Sequence, residues 1–219
     1  MDIIKQIIDF ILHIDTHLTD ITREYQTWTY LILFLIIFAE TGFVVTPFLP
    51  GDSLLFAAGA LIAHGNSGLN IYLMALVLVI AAILGNTTNY ELGRYFGARV
   101  FKPENKILKL DYYLKTQAFF DKHGGKAVVF SRFLPIFRTV APFVAGVGRM
   151  PLRQYTMYNV LGGLSWVILF LFAGYFFGNI PAIKKNFTLV VFAIILLSVL
   201  PPVIAVIRSR LSGKKQEGV

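Results

Sequence analysis

The sequence predicts an all-α polytopic membrane protein that forms a single domain over residues 1–219. The chain is 56% hydrophobic and 15% charged, and its mean hydropathy is +0.68, which is more apolar than soluble globular composition. Several apolar stretches have the length that a helix needs to cross a bilayer. Two other apolar stretches are broken by prolines. We therefore expect about four transmembrane helices and two re-entrant hairpins.

Residues 1–23 are predicted to form an amphipathic helix that lies in the membrane interface. Isoleucine and leucine recur there at spacings of three and four, and polar side chains fill the opposite side. His13 and His17 lie four apart with Asp15 between them. Ordinary exposed histidines explain this pair better than a metal site, and we expect neither a metal nor a cofactor.

Residues 24–97 are predicted to form the first half of the domain. The apolar run that starts at Trp28 reaches Glu40 before it is long enough to span a bilayer. The next stretch, residues 43–63, is apolar, but three residues in it favour a turn: Pro47, Pro50 and Gly51. Bent backbone at membrane depth must be buried in protein or line a cavity, so we predict a re-entrant hairpin. Residues 71–92 then form a spanning helix.

The charged segments predict the topology. Residues 98–126 carry seven basic residues against three acidic ones, and the tail, residues 208–219, carries four against one. The positive-inside rule places both segments in the cytoplasm, together with the N-terminus. Because topology explains the net charge of +8, no nucleic-acid partner is implied.

Residues 127–207 are predicted to form the second half of the domain. Residues 128–148 are apolar but broken by Pro135 and Pro142, and two spans follow. Two spans return the chain to the side on which it started, so residues 128–148 must enter and leave from the cytoplasm. We predict a second re-entrant hairpin there, opposite in orientation to the first.

Three short motifs recur in the same order in the two halves. They are FLP at 48–50 and 133–135, F-x-A-G at 56–59 and 143–146, and G-x-x-F-G at 93–97 and 174–178. Together with the opposed hairpins, they predict an inverted repeat. Inverted repeats with discontinuous helices are typical of secondary transporters, whose sites lie at the repeat interface. A plain bundle of kinked helices is the alternative.

Four ionisable residues lie at the hairpin breaks: Glu40 and Asp52 in the first half, Arg132 and Arg138 in the second. Each would cost roughly 2.5–3.5 kcal/mol if it faced lipid, so we expect them inside the protein, paired with each other or with a ligand. The arginines are the phosphate-binding candidates, because guanidinium binds phosphate in bidentate fashion. The acids are the proton-handling candidates, because burial disfavours ionised carboxylates. The alternative is a pair of structural salt bridges, Glu40 with Arg132 and Asp52 with Arg138, that close the site without a ligand.

Further residues at the breaks have structural interpretations. Seven are candidates for breaking or capping the hairpin helices: Pro47, Pro50, Gly51, Ser53, Pro135, Thr139 and Pro142. Glu91 and Arg94 lie three apart near the predicted cytoplasmic end of a span. An ion pair that snorkels to the interface is favoured there over a gate pair. Trp28 and Trp166 fit lipid-facing or interfacial roles.

The chain resembles the DedA family of bacterial inner-membrane proteins over roughly residues 25–210. The motifs that carry the resemblance are residues 40–42 (ETG), 46–55 (TPFLPGDSLL), 93–97 (GRYFG), 132–135 (RFLP), 138–139 (RT) and 145–146 (AG). The resemblance implies the fold of VTT-domain and SNARE-associated Golgi proteins. It also implies lipid transport: family members are linked to returning undecaprenyl phosphate across the inner membrane and to envelope homeostasis dependent on the proton motive force.

By motif, the important acids and arginines of that family correspond to Glu40, Asp52, Arg132 and Arg138. One departure is Asn86, because the family often has an acid after the preceding glycine. If that acid carries protons in other members, this chain couples transport to protons differently or not at all.

The leading functional hypothesis is a flippase for undecaprenyl (polyprenyl) phosphate in the bacterial inner membrane, with lipids and protons as its partners. The alternatives are a flippase or scramblase for phospholipids such as phosphatidylethanolamine, and a proton-coupled ion antiporter. An enzyme is not favoured, because the sequence has no G-x-S-x-G motif, no metal-ligand spacing and no histidine within the predicted hairpins. A homodimer is left open.

Overall fold

The computed structural model describes residues 27–43, 51–63, 65, 67–100, 122, 124–181, 183, 189–190, 193–194 and 196. Several predictions lie outside these residues. They concern the interfacial helix at 1–23, most of the basic segment at 98–126, most of the last span, the tail at 208–219, and the turn containing Pro47 and Pro50.

The described residues form six helices and no strand, which confirms the all-α class. They are α1 (Trp28–Gly42), α2 (Gly51–Ala63), α3 (Ile71–Val100), α4 (Lys126–Ser131), α5 (Pro135–Val147) and α6 (Leu152–Phe177). Two stretches are long and apolar enough to cross a membrane, Ile71–Phe96 and Leu152–Phe177. Helices α1 and α2 and most of α5 are apolar but shorter.

The break predicted in the second half is present. Helix α4 ends at Ser131, and α5 begins with Pro135 at a position where a missing N–H costs nothing. Pro142 was expected to break or cap a hairpin helix, and this was wrong. It lies in the interior of α5, which continues to Val147. Thr139 likewise lies inside α5 and does not cap its N-terminus.

The long helices α3 and α6 run antiparallel and pack against each other. Tyr72, at the start of α3, contacts Phe172 near the end of α6. Tyr90, towards the end of α3, stacks on Tyr155 near the start of α6, with ring centroids 4.2 Å apart. Two of the short helices then pack crosswise: α2 of the first half lies on α6, and α5 of the second half lies on α3.

Glycine allows α2 and α6 to approach closely. A Cβ on Gly59 would overlap the carbonyl oxygen of Leu171, and a Cβ on Gly174 would overlap that of Phe56. Small residues at helix crossings are typical of membrane proteins, where close backbone packing replaces the hydrophobic driving force.

The same contact recurs between α3 and α5. A Cβ on Gly146 would overlap the carbonyl oxygen of Tyr90, and a Cβ on Gly93 would overlap that of Phe143. These glycines belong to the motifs that recur in the sequence, so the repeat is also a repeat of contacts. The two long helices that make these crossings, α3 and α6, are antiparallel, as an inverted repeat requires.

Replacing Gly59 or Gly146 by Ala should destabilise the protein by about 1–3 kcal/mol, because each methyl group would force two helix backbones apart. Thermal unfolding in detergent measures this. Gly42→Ala is the matched control, since a Cβ there would meet its nearest atoms, those of Gly85, at 3.4 Å. Equal melting temperatures for all three variants would contradict the importance of the close crossings.

Candidate functional site

Arg138 of α5 bridges two buried carboxylates. Its Nη1 donates to Oδ1 of Asp52 at 2.6 Å, and its Nη2 donates to Oε1 of Glu40. The exposed fractions of these residues are 2% for Arg138, 5% for Asp52 and 0% for Glu40. Trp166 of α6 completes the group, because its Nε1 donates to Oδ1 of Asp52 at 2.7 Å and its ring lies 4.8 Å from the guanidinium carbon. We call these four residues the Arg138 cluster.

Glu40 also caps α2, although it belongs to α1. The backbone N–H of Gly51, the first residue of α2, donates to Oε1 of Glu40 at 3.2 Å. A carboxylate is favourable there, because the first N–H groups of a helix have no intrahelical partners and carry partial positive charge. Any Cβ at Gly51 would overlap this carboxylate. Glu40 therefore joins α1, α2 and α5.

Arg132 lies in the turn between α4 and α5 and has an exposed fraction of 0%. Its Nη2 donates to Oδ1 of Asn159 and to the carbonyl oxygen of Ala82 at 3.2 Å. With its amide oxygen facing Arg132, Asn86 accepts a further hydrogen bond from Nη2 at 2.9 Å. Nη1 has no hydrogen-bond partner and no carboxylate pairs with Arg132 within the described part of the chain. Arg132 is therefore a buried cation held by neutral groups.

The guanidinium of Arg132 lies near the middle of both long helices. It contacts Ala82 and Gly163, and each of these lies near the middle of its candidate span. The two positions are also equivalent in the sequence repeat that relates Gly93 to Gly174. Arg132 therefore lies between α3 and α6, about midway along each.

Asparagines in the apolar spans connect this region to the surrounding helices. Nδ2 of Asn89 donates to the carbonyl oxygens of Thr139 at 2.6 Å and Thr41 at 3.3 Å, which joins α3 to α5 and α1. Nδ2 of Asn159 donates to the carbonyl oxygen of Ile83 and to Oγ1 of Thr87, both at 3.1 Å.

Comparison with known proteins identifies the family. The VTT domain family model matches residues 49–176. Protein DedA of Escherichia coli is 54% identical over 211 residues, which is 96% of both chains. This chain belongs to the DedA family of VTT-domain membrane proteins. Inner membrane protein YghB of Escherichia coli is 35% identical over 81% of this chain and 78% of its own. An uncharacterized membrane protein of Mycobacterium leprae is 38% identical, over 78% and 76% respectively. No solved structure gives a significant match.

In this DedA-family protein, the four ionisable residues predicted to share one polar site do not all lie together. Glu40, Asp52 and Arg138 come together, as proposed for a shared polar site. The alternative that Glu40 pairs with Arg132 was wrong, because Glu40 pairs with Arg138. The two arginines are therefore not equivalent: Arg138 is balanced by two carboxylates, whereas Arg132 contacts only uncharged acceptors among the described residues.

The remaining candidate residues lie at different places in the fold. Ser53 is fully buried in the first turn of α2. Glu91 and Arg94 are exposed, and within the described residues no ion pair joins them. Their role as a gate stays a prediction. The lipid-facing role expected for Trp166 was wrong, because this side chain is fully buried against Asp52 and Arg138.

Sequence reasoning missed the residues that hold Arg132. Asn159 was not singled out, Asn86 was noted only as a departure from the family, and the room made by Gly162 and Gly163 was not foreseen. A Cβ at Gly162 would lie 2.9 Å from Cδ of Arg132. The available signal was the presence of amide side chains inside long apolar helices, where unpaired polar groups are costly.

Arg138→Gln should destabilise the DedA-family fold by about 3–5 kcal/mol, because it leaves two buried carboxylates without their cation. The triple variant Glu40→Gln, Asp52→Asn, Arg138→Gln should recover most of this loss, since no charge remains unbalanced. Thermal unfolding in detergent measures both. Arg153→Gln, at an exposed position of α6, is the control. If the triple variant were as unstable as the single one, charge balance would not explain the cluster.

Proposed function

We propose that this protein is a flippase that moves undecaprenyl (polyprenyl) phosphate across the bacterial inner membrane. The observation that carries the proposal is Arg132, a fully buried cation with an unpartnered Nη1 and no carboxylate partner among the described residues. A buried charge costs several kcal/mol unless an opposite charge balances it. An anionic head group would provide that balance, and guanidinium geometry suits phosphate oxygens.

The position of Arg132 supports translocation over binding at one membrane face. Its guanidinium lies near the middle of both candidate spans, between α3 and α6. In transporters built from inverted repeats, the substrate site lies near the bilayer midplane at the repeat interface. A phosphate held here is about equally far from both faces, so opening either half would expose it to one side.

The Arg138 cluster supports a role for protons in this movement. Oε2 of Glu40 is buried and has no hydrogen-bond partner among the described residues, so a proton can be added there without displacing a contact. Protonation would weaken the ion pair with Arg138, which also joins α5 to Asp52 of α2. In our proposal this loosens the contact between the halves. A proton that crosses the membrane provides about 2.3 kcal/mol per 100 mV to drive such a change.

Arg132→Gln should reduce polyprenyl phosphate translocation roughly ten- to hundredfold, the equivalent of one charge-assisted hydrogen bond. The assay uses proteoliposomes with labelled polyprenyl phosphate in one arm and labelled phosphatidylethanolamine in the other. Arg153→Gln, an exposed arginine, is the control.

Unchanged polyprenyl phosphate translocation by Arg132→Gln would overturn the phosphate-binding role. Arg132-dependent movement of phosphatidylethanolamine alone would reassign the substrate to the phospholipids. Cation-dependent proton flux in vesicles without polyprenyl phosphate would instead indicate the antiporter.

Glu40→Gln should abolish the acceleration of polyprenyl phosphate translocation by an imposed pH gradient, because the amide cannot take up the proton. The substitution preserves an acceptor for the N–H of Gly51, so capping of α2 is retained. Glu91→Gln, an exposed acid on α3, is the control and should keep the wild-type response. If Glu40→Gln responded to the gradient as the control does, the coupled proton would bind elsewhere.

A further inference from the structure

The orientation of the Asn159 side chain is determined by the groups around it. Its Nδ2 has two acceptors, the carbonyl oxygen of Ile83 and Oγ1 of Thr87, both at 3.1 Å. The hydroxyl of Thr87 in turn donates to the carbonyl oxygen of Ile83 at 2.7 Å. Its own oxygen can therefore accept from Nδ2 of Asn159. With the amide nitrogen held by α3, the amide oxygen must face the opposite way, towards Arg132.

Among the described residues, the hydrogen bonds of the Arg132 guanidinium are all made by one nitrogen. Oδ1 and the backbone carbonyl oxygen of Asn159, the carbonyl oxygen of Ala82 and the amide oxygen of Asn86 are the acceptors around Nη2. Nη1 is buried and has no such partner among the described residues. The guanidinium is thus anchored by one edge, and the hydrogen-bond donors of Nη1 are unused.

The stem of Arg132 is also confined. A Cβ at Gly162 would lie 2.9 Å from Cδ and 3.1 Å from Nε of Arg132, and a Cβ at Gly163 would lie 3.6 Å from both terminal nitrogens. The side chain therefore lies directly on the backbone of α6, one turn from Asn159. Rotation of the guanidinium is limited by the helix below it and by the anchored Nη2.

We propose that Asn159 is the positioning residue of the anion site. It fixes Nη2 of Arg132, so that Nη1 is presented to a phosphate oxygen. This rests on the function proposed above and deepens it. An amide suits this role because its oxygen accepts from Arg132 without neutralising the guanidinium. A carboxylate would balance that charge and would place an oxygen against the carbonyl of Ile83.

A double-mutant cycle tests the proposal on the purified full-length protein in detergent. The probe is farnesyl phosphate, a short polyprenyl phosphate, and uncharged farnesol is the reference; calorimetry measures both affinities. Asn159→Leu should weaken farnesyl phosphate binding roughly tenfold by removing the side-chain acceptor that orients Nη2, and should leave farnesol binding unchanged. In the Arg132→Gln background it should cost nothing further, because a positioning residue acts only through Arg132.

Two further variants keep the test decisive if Asn159→Leu folds poorly. Thr87→Val removes one of the two acceptors that orient the amide, so it should weaken farnesyl phosphate binding less than Asn159→Leu and again only when Arg132 is present. Asn179→Leu is the matched control, since Asn179 is an exposed asparagine with one hydrogen bond, to the carbonyl oxygen of Ala63.

Each outcome has a distinct meaning. Losses from Asn159→Leu or Thr87→Val that are as large without Arg132, or that extend to farnesol, would show a purely structural role and overturn the inference. Farnesyl phosphate binding that survives Arg132→Gln would overturn the proposed function itself. Loss with Arg132→Gln but none with Asn159→Leu or Thr87→Val would leave the anion site standing without Asn159 as its positioning residue.

Discussion

The shared ion pair of Arg138 is the interaction on which the rest of the structure depends. One guanidinium holds the carboxylates of Glu40 and Asp52, and through them it ties α5 to α1 and α2. The same carboxylate of Glu40 caps α2. Removing Arg138 would leave two carboxylates without their cation in an apolar interior, where the penalty is several kcal/mol. These shared contacts explain how the short helices α2 and α5 are held against the long helices α6 and α3.

Charge balance also explains why the two arginines have different roles. Arg138 has two carboxylate partners, so its charge is already balanced. Arg132 contacts amides and a carbonyl, which orient its guanidinium but add no opposite charge. One edge of this guanidinium has hydrogen-bond acceptors, and the other edge has no anion beside it among the described residues. Such a site is suited to a ligand that carries a negative charge. The site lies between the long helices α3 and α6, near the middle of each.

Much of the fold could be predicted from the chain alone. The recurrence of F-x-A-G and G-x-x-F-G predicted a repeat, and in the structure Gly59, Gly93, Gly146 and Gly174 make equivalent crossings. The break before Pro135 was predicted because proline is tolerated only in the first turn of a helix. The same rule gave the wrong position for Pro142. Helix α5 begins two turns earlier, at Pro135, and contains Pro142 in its interior.

By itself, the sequence determined the helical membrane class, the family, the proline break in the second half and the four charges that an apolar interior must accommodate. These follow from composition, motif and the cost of burying a charge, all of which are local properties. Only the tertiary structure decided which charges meet. Arg138 pairs with residues 86 and 98 positions away, and Asn159 reaches Arg132 from another helix. Such distances are set by how α1, α2, α5 and α6 pack, because helix packing with close glycine crossings brings together side chains that no sequence spacing relates.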